Sequence, residues 1–344
     1  MDSRVAKNRW PKFLGWGFLL LALALAIAIT STVGWRPFLG PRQRELTSRQ
    51  FERTEQRRAR GEYLVQNVTG CAVCHSVRDF KKHDDPVVPG TLLAGSHIDD
   101  AGIPGNLYAS NLTPDAETGA ARWSDDQMAR AIREGIGYDG RALFPMMPFT
   151  HYRSLSDEDL ASVVVYLRSI PPIRNLLPQT KLNFPVNFLI RSGPMPLPAP
   201  VPEPDRSSAA QRGAYLVKIA VCADCHSPSG KDGETISGME FSGGGNFTGD
   251  WGNVASANIT PDPSGIPYYT EKQFIEVLRT GFVGARSLNQ IMPWSTYRGI
   301  TDTDLADIFA YLKTLKPVRH HVDNSRPPTF CKLCRQTHGG GDQN

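Results

Sequence analysis

The chain has 344 residues, 40% of them hydrophobic, which suits about two ordinary domains plus extra segments and excludes a disordered tail. Its formal charge of +4 is unevenly placed: residues 1–60 hold twelve Lys/Arg against four Asp/Glu, and residues 61–344 hold 26 against 30. The basic excess is an N-terminal feature, and no basic stripe with interleaved aromatics elsewhere points to nucleic acid, so no nucleic-acid partner is expected.

Residues 1–12 form a short tail carrying Arg4, Lys7, Arg9 and Lys12. From Phe13 to Gly34 there are 22 residues without a charge, long enough to span a bilayer as a helix. The basic tail predicts that the N-terminus stays in the cytoplasm and the rest crosses. A cleaved signal peptide fits the same pattern, but no clean small-x-small site precedes a polar segment, so an uncleaved anchor over 13–34 is the expectation. Either choice exports the body of the chain. Residues 35–47 read as a solvated spacer, with Arg36, Arg42 and Arg44 placed for contact with anionic lipid heads.

Beyond the spacer the chain repeats itself, and repeats decide architecture before local detail does. Gly61-Glu62-Tyr63-Leu64-Val65 is matched by Gly213-Ala214-Tyr215-Leu216-Val217. Cys71-Ala72-Val73-Cys74-His75 is matched by Cys222-Ala223-Asp224-Cys225-His226, Asn111 to Asp115 by Asn258 to Asp262, and Met147-Pro148 with Tyr152 by Met292-Pro293 with Tyr297. Ser156-Asp157 with Asp159-Leu160 is matched by Thr301-Asp302 with Asp304-Leu305. Two homologous domains follow. Their readable elements are helices: Ser124, Ser156, Thr270 and Thr301 each offer an N-cap hydroxyl ahead of apolar residues at helical spacing. Residues 76–122 and 227–268, rich in Gly, Pro, Asn and Asp, read as loops. Between the domains, alternate prolines from Pro194 to Pro204 predict a stiff linker able to reach roughly 34 Å if straight.

C-x-x-C-H is the pattern of covalent haem attachment: two thiols three residues apart bond one porphyrin, and the adjacent imidazole ligates its iron. Two copies predict two haem c groups, held by Cys71, Cys74 and His75 and by Cys222, Cys225 and His226. With the helix before each motif and the Met-Pro after it, residues 61–172 and 213–317 each resemble a class I cytochrome c domain. The N-[LI]-T-P-D segment, the Met-to-Tyr spacing and the S/T-D-x-D-L helix are similar to the multi-haem cytochrome subunits of membrane-bound alcohol, aldehyde and sugar-acid dehydrogenases, which typically carry three such domains where this chain has two. The resemblance implies His75 and His226 as proximal and Met147 and Met292 as distal iron ligands. A soft thioether favours ferrous iron and raises the potential. Met146 aligns with Ile291 and reads as packing, while His151, near enough to compete as a ligand, aligns with Thr296. Asn111, Asn258, Trp123, Tyr152 and Tyr297 are haem partners or simply loop and core residues, and Tyr63 and Tyr215 belong to a close helix crossing.

Cys331-Lys332-Leu333-Cys334 is followed by Arg335, which cannot ligate iron, so it is no third haem site. A disulfide or free thiols fit an oxidising compartment, and His338 with His320-His321 leaves a metal site open. The expected fold is all-α: an anchor at 13–34, a spacer at 35–47, cytochrome domains at 48–175 and 207–318, a proline-rich linker at 176–206, and a tail at 319–344. The expected function is single-electron relay by a single-pass protein of the bacterial inner membrane whose haem domains face the periplasm. A dehydrogenase, a quinone-linked complex or a terminal oxidase is the redox partner. A dihaem peroxidase or thiol-oxidising enzyme, and a metal- or thiol-handling protein built on the C-terminal C-x-x-C, are the alternatives. An enzyme would need a missing or displaceable distal methionine.

Overall fold

A computed structural model of the chain describes residues 10–98, 102–230, 233–249 and 252–339. Arg4, Lys7 and Arg9, on which the orientation reading rests, and Gly340 and Gly341 of the tail lie outside them. Helix α1 (Trp10–Ser31) is long and apolar enough to cross a membrane, and none of its apolar window is buried against the rest of the chain. Next comes α2 (Arg36–Leu39), whose Pro37 is buried.

The segment after α2 is a docked strap where a solvated spacer was expected. Arg44 forks onto Asp126 with two bonds of 2.7 Å and reaches Glu134 at 2.7 Å, and the Thr47 N–H donates to Asp126. Asp126 and Glu134 are buried, so their charges need this guanidinium more than a lipid surface does. Arg44 is therefore committed inside the protein.

The first unit consists of α3 (Glu55–Tyr63), running into a π turn over Leu64–Val68, then α4 (Cys71–His75), β1 (Ser96–Ile98), β2 (Gly105–Ala109), α5 (Asp125–Glu134), α6 (Phe149–Tyr152) and α7 (Asp157–Ser169). After α7 the chain returns as β3 (Lys181–Leu182) and α8 (Val186–Leu189). The second unit repeats the frame with α9 (Ala209–Ile219), α10 (Cys222–His226), β4 (Asn246–Gly249), β5 (Gly252–Ala255), α11 (Glu271–Thr280), a short hairpin of β6 (Phe282–Val283) and β7 (Arg286–Ser287), α12 (Trp294–Tyr297) and α13 (Asp302–Thr314). It ends in a hairpin, β8 (Thr329–Phe330) with β9 (Thr337–His338). Ser124, Ser156, Thr270 and Thr301 cap α5, α7, α11 and α13 as their sequences predict, the first and third as full capping boxes.

The all-α expectation needs correction. The stretches read as loops contain antiparallel pairs, β1 with β2 (Ser96↔Ala109) and β4 with β5 (Asn246↔Ala255), and β3, inside the span read as a proline-rich linker, adds to β2 (Gly105↔Leu182). Strands of two to five residues carry too little alternation to outweigh Gly and Asn, and they persist because the units around them supply partners.

Each unit is organised by the crossing of its first and last helices, α3 on α7 and α9 on α13. A Cβ on Gly61 would lie 1.9 Å from the Ser162 carbonyl oxygen, and one on Gly213 would lie 1.9 Å from that of Asp307. Backbone-to-backbone contact at both crossings therefore requires glycine. Around the crossings Leu64, Val65, Val68, Leu160, Val164 and Leu167 are buried, as are Leu216, Val217, Ile219, Leu305, Ile308 and Leu312.

The two units meet through reciprocal contacts. Tyr63 was read as part of the first crossing, but its hydroxyl crosses to the second unit and donates to Asp304 (2.5 Å) while accepting from the Thr301 N–H (3.3 Å). Tyr215 does the same in return, donating to Asp159 (2.7 Å) and accepting from the Ser156 N–H (3.1 Å). Each tyrosine therefore caps the last helix of the other unit, an arrangement with the logic of a two-fold interface. His151, considered as an iron ligand, stands 2.6 Å from Asp224 of the second unit. His83 stacks on Phe282 and Trp294 at 4.7 and 4.9 Å between centroids.

Candidate haem sites

In the first unit a cavity of about 510 Å³ is lined by Cys71, Cys74, His75, Met147, Tyr152, Trp123 and the apolar residues Leu107, Leu112, Ile132 and Leu167. It gathers both thiols, the imidazole and the thioether named from sequence. No disulfide joins Cys71 to Cys74 or Cys222 to Cys225. Burial pushes the Cys71 thiol up to about 11, raises Cys74, and places Cys222 and Cys225 at about 12 and 11. Such thiols stay protonated at neutral pH.

The histidines are aimed. His75 Nδ1 lies 2.7 Å from the Ser110 carbonyl oxygen and His226 Nδ1 lies 2.8 Å from that of Ala257. A carbonyl can only accept, so Nδ1 carries the proton and Nε2 keeps its lone pair. Burial lowers both imidazole pKa values, with the carbonyl bonds working the other way, so both rings are neutral near pH 7.

The loops presenting those carbonyls are built alike. Asn111 Oδ1 accepts from the Thr113 N–H and hydroxyl, and its Nδ2 donates to Ile173 O at 2.8 Å. Asn258 holds Thr260 and Val318 in the same way. These asparagines brace the loop next to Ser110 and Ala257 and do not line the first cavity. Tyr152 and Tyr297 donate to the carbonyls of Thr69 and Ala220, just before the attachment motifs. Trp123 lies on the cavity wall, stacked on Tyr138. Met146 and Ile291 are 38% and 39% exposed, so this repeated pair does not pack in the core as expected.

Sequence reasoning missed several partners. Ser76 and Ser227 follow the histidines directly and are buried; their hydroxyls accept from the N–H of Leu93 and Phe241, which both adopt positive φ (58° and 61°). The N–H groups of Gly95 and Gly243 each donate at 2.7 Å to the carbonyl of the motif histidine. The serine repeated after each C-x-x-C-H was a readable signal. The strained backbone was not. The third C-x-x-C lies apart from these sites, beside His320 and His338.

The cytochrome c family model matches residues 59–171 and 210–316. The chain belongs to the cytochrome c family. Covalently bound haem c is the cofactor of this family, and the two matched segments indicate two groups. A nicotinate dehydrogenase subunit of Pseudomonas putida is 32% identical over 72% of this chain and 20% of its own length. The fructose dehydrogenase cytochrome subunit of Gluconobacter japonicus is 28% identical over 75% of this chain and 52% of its own. A diheme cytochrome c-type protein of Cereibacter sphaeroides is 26% identical over 72% of this chain and 83% of its own. The chain thus spans about half or less of the length of the first two.

Proposed function

We propose that this protein is a membrane-anchored dihaem cytochrome c that relays single electrons on the periplasmic side of a bacterial inner membrane, with a dehydrogenase as its donor. The observation that carries the reading is the matched geometry of two neutral imidazoles, each next to a pair of cysteines not joined as a disulfide and each locked by a carbonyl at the same place in the repeat. Cys71 and Cys74, and Cys222 and Cys225, are the thioether positions. His75 and His226 would hold the iron through Nε2, and Met147 and Met292 would hold it through sulfur.

When bound, haem supplies a reversible one-electron iron couple. The residues decide how it is used. Donation of Nδ1–H to Ser110 and Ala257 fixes the ring and makes Nε2 a better donor. Methionine sulfur stabilises the reduced state. With an imidazole and a thioether both offered to the iron, haem held here would supply electron transfer in preference to oxygen or peroxide chemistry. Relatives whose names place them among dehydrogenase subunits support the donor assignment, and the exposed apolar α1 supports the anchor.

Denaturing gels stained for haem, with iron quantitation, should give two covalent haems per chain; one or none overturns the reading. Met147→Ala and Met292→Ala should each remove the low-spin methionine signature of one haem and leave the other. An unchanged spectrum excludes that ligand.

A further inference from the structure

We propose that His320, Cys331, Cys334 and His338 form a tetrahedral zinc site that clamps the C-terminal segment onto the back of the second haem unit. Cys331 Sγ lies 3.4 Å from His320 Nε2 and Cys334 Sγ lies 3.0 Å from His338 Nε2, and the four ligand atoms are all within 4.8 Å of one another. Zn–S bonds of about 2.3 Å and Zn–N bonds of about 2.0–2.1 Å would put sulfur and nitrogen about 3.6 Å apart around a tetrahedral centre. Two thiolates with two imidazoles is a zinc donor set, since soft sulfur disfavours magnesium and calcium.

The surroundings fit a ligand and do not fit a simple core. His320, Cys334 and His338 are 1%, 3% and 6% exposed, yet β8 and β9 have two residues each and Phe330 is 62% exposed. A hairpin that short, with its large apolar residue in solvent, has no core of its own and needs a staple. His338 Nδ1 is buried without a hydrogen-bond partner among the described residues, so sulfur is the polar neighbour its ring has. His320 is held from outside: its Nδ1–H donates to Ser242 O at 3.0 Å, which turns Nε2 toward the cysteines. The C-x-x-C turn is tight, with the Arg335 N–H donating to Cys331 O (2.9 Å) and Arg335 itself in the left-handed region (φ 59°). At Gly244 a Cβ would stand 2.6 Å from His320 and 3.0 Å from His338, so both rings close over a bare backbone.

The first unit shows what the site adds. Asn175 occupies the repeat position of His320 and braces the same carbonyl, donating to Ala94 O at 3.0 Å. Their backbone N–H groups also match, bonding Thr118 and Ser264 at 3.0 Å. The brace needs only an N–H; an imidazole does that and still presents a second nitrogen. Its position matters for the haem, because Gly243, next to Ser242, donates to the His226 carbonyl. On binding, Zn²⁺ displaces the two thiol protons to water and takes the lone pairs of two neutral imidazoles, with no electron transferred.

The test uses the full-length haem-loaded protein, equilibrated with zinc and then dialysed. Elemental analysis should give one zinc per chain in addition to haem iron. X-ray absorption at the zinc edge should give two sulfur and two nitrogen neighbours at the distances above. His320→Asn restores the first unit's brace while deleting a ligand, so it should fold and keep the wild-type haem spectrum, yet hold zinc more than about 100-fold more weakly, beyond the 10–100-fold of an outer-shell change. Cys334→Ser should do the same. Substoichiometric zinc, a Cys331–Cys334 disulfide in the purified protein by alkylation and mass spectrometry, a different bound metal, or undiminished zinc in His320→Asn would each overturn the proposal.

Discussion

The two haem units share a frame and differ at its edges. Helix crossing, serine after the histidine, strained residue at Leu93 and Phe241, asparagine-braced loop and Met-Pro-capped helix recur in both. The first unit closes its hairpin with β3, drawn from the chain that leads to the linker. The second has no such strand among the described residues; Asn324 bonds Ala255 of β5 at 2.8 Å instead, and the cysteine-histidine knuckle meets β4, where Asn246 donates to Thr337 O. The interface is also unequal. Asp159 is buried and receives both Arg60 and Tyr215, whereas Asp304 receives Tyr63 and the corresponding arginine, Arg212, reaches Asp307 one turn on. Between the two units the groups around the C-x-x-C-H motifs have diverged little; the outer layer, where any staple will serve, has diverged.

That comparison can be broken at three levels. The largest effect should come from the crossings. Gly61→Ala and Gly213→Ala each force a methyl into a carbonyl and should each cost about 3 kcal/mol or more by denaturant unfolding of the haem-loaded protein. A large difference between them would mean that the crossings are not equivalent.

The interface comes next. Tyr215→Phe removes a donor from a buried carboxylate and should cost about 2 kcal/mol, and Tyr63→Phe, beside the more exposed Asp304, about 1 kcal/mol. Burial and then the bond to Asp304 push the Tyr63 hydroxyl up to about 12, from an ordinary value of 10.0. A raised folded-state pKa gives stability that is complete below pH 10 and lost as pH rises through about 12. Stability of the wild type should therefore fall faster than that of Tyr63→Phe across this window.

The smallest effect concerns the residue before each attachment motif. Gly70 and Val221 both adopt the left-handed conformation (φ 63° and 61°), which a β-branched side chain resists. Val221→Gly should stabilise by about 1 kcal/mol and Gly70→Val destabilise by a similar amount, read from thermal melts followed at the haem absorbance. Opposite signs would confirm that strain at this position is stored in the second unit alone.

Much of this was legible because its causes are local. The caps at Ser124, Ser156, Thr270 and Thr301 act within one turn, and the repeat paired each C-x-x-C-H with a methionine far downstream. The strands were not legible, because the hairpins are too short to show alternation and Lys181–Leu182 pairs only with a strand distant in sequence. Tyr63 and Tyr215 were visible as repeated residues, yet nothing along the chain says that each hydroxyl leaves its own unit. Arg44 looked like a surface charge because its two carboxylates sit about 80 and 90 residues away. His338 stands near the third C-x-x-C in sequence; choosing His320 over His321 required the fold.

The docked strap has a consequence for how an electron partner finds this protein. Pro37 is buried, Arg191 donates to its carbonyl at 3.0 Å, and Gly40 and Pro41 form part of the rim of the first cavity. Under the proposed anchoring by α1, that docking would set the height and tilt of the cavity mouth, within one short helix of the lipid surface. A partner confined to the same membrane would then meet it by searching a plane instead of a volume, and the strap would convert an anchor into a fixed berth.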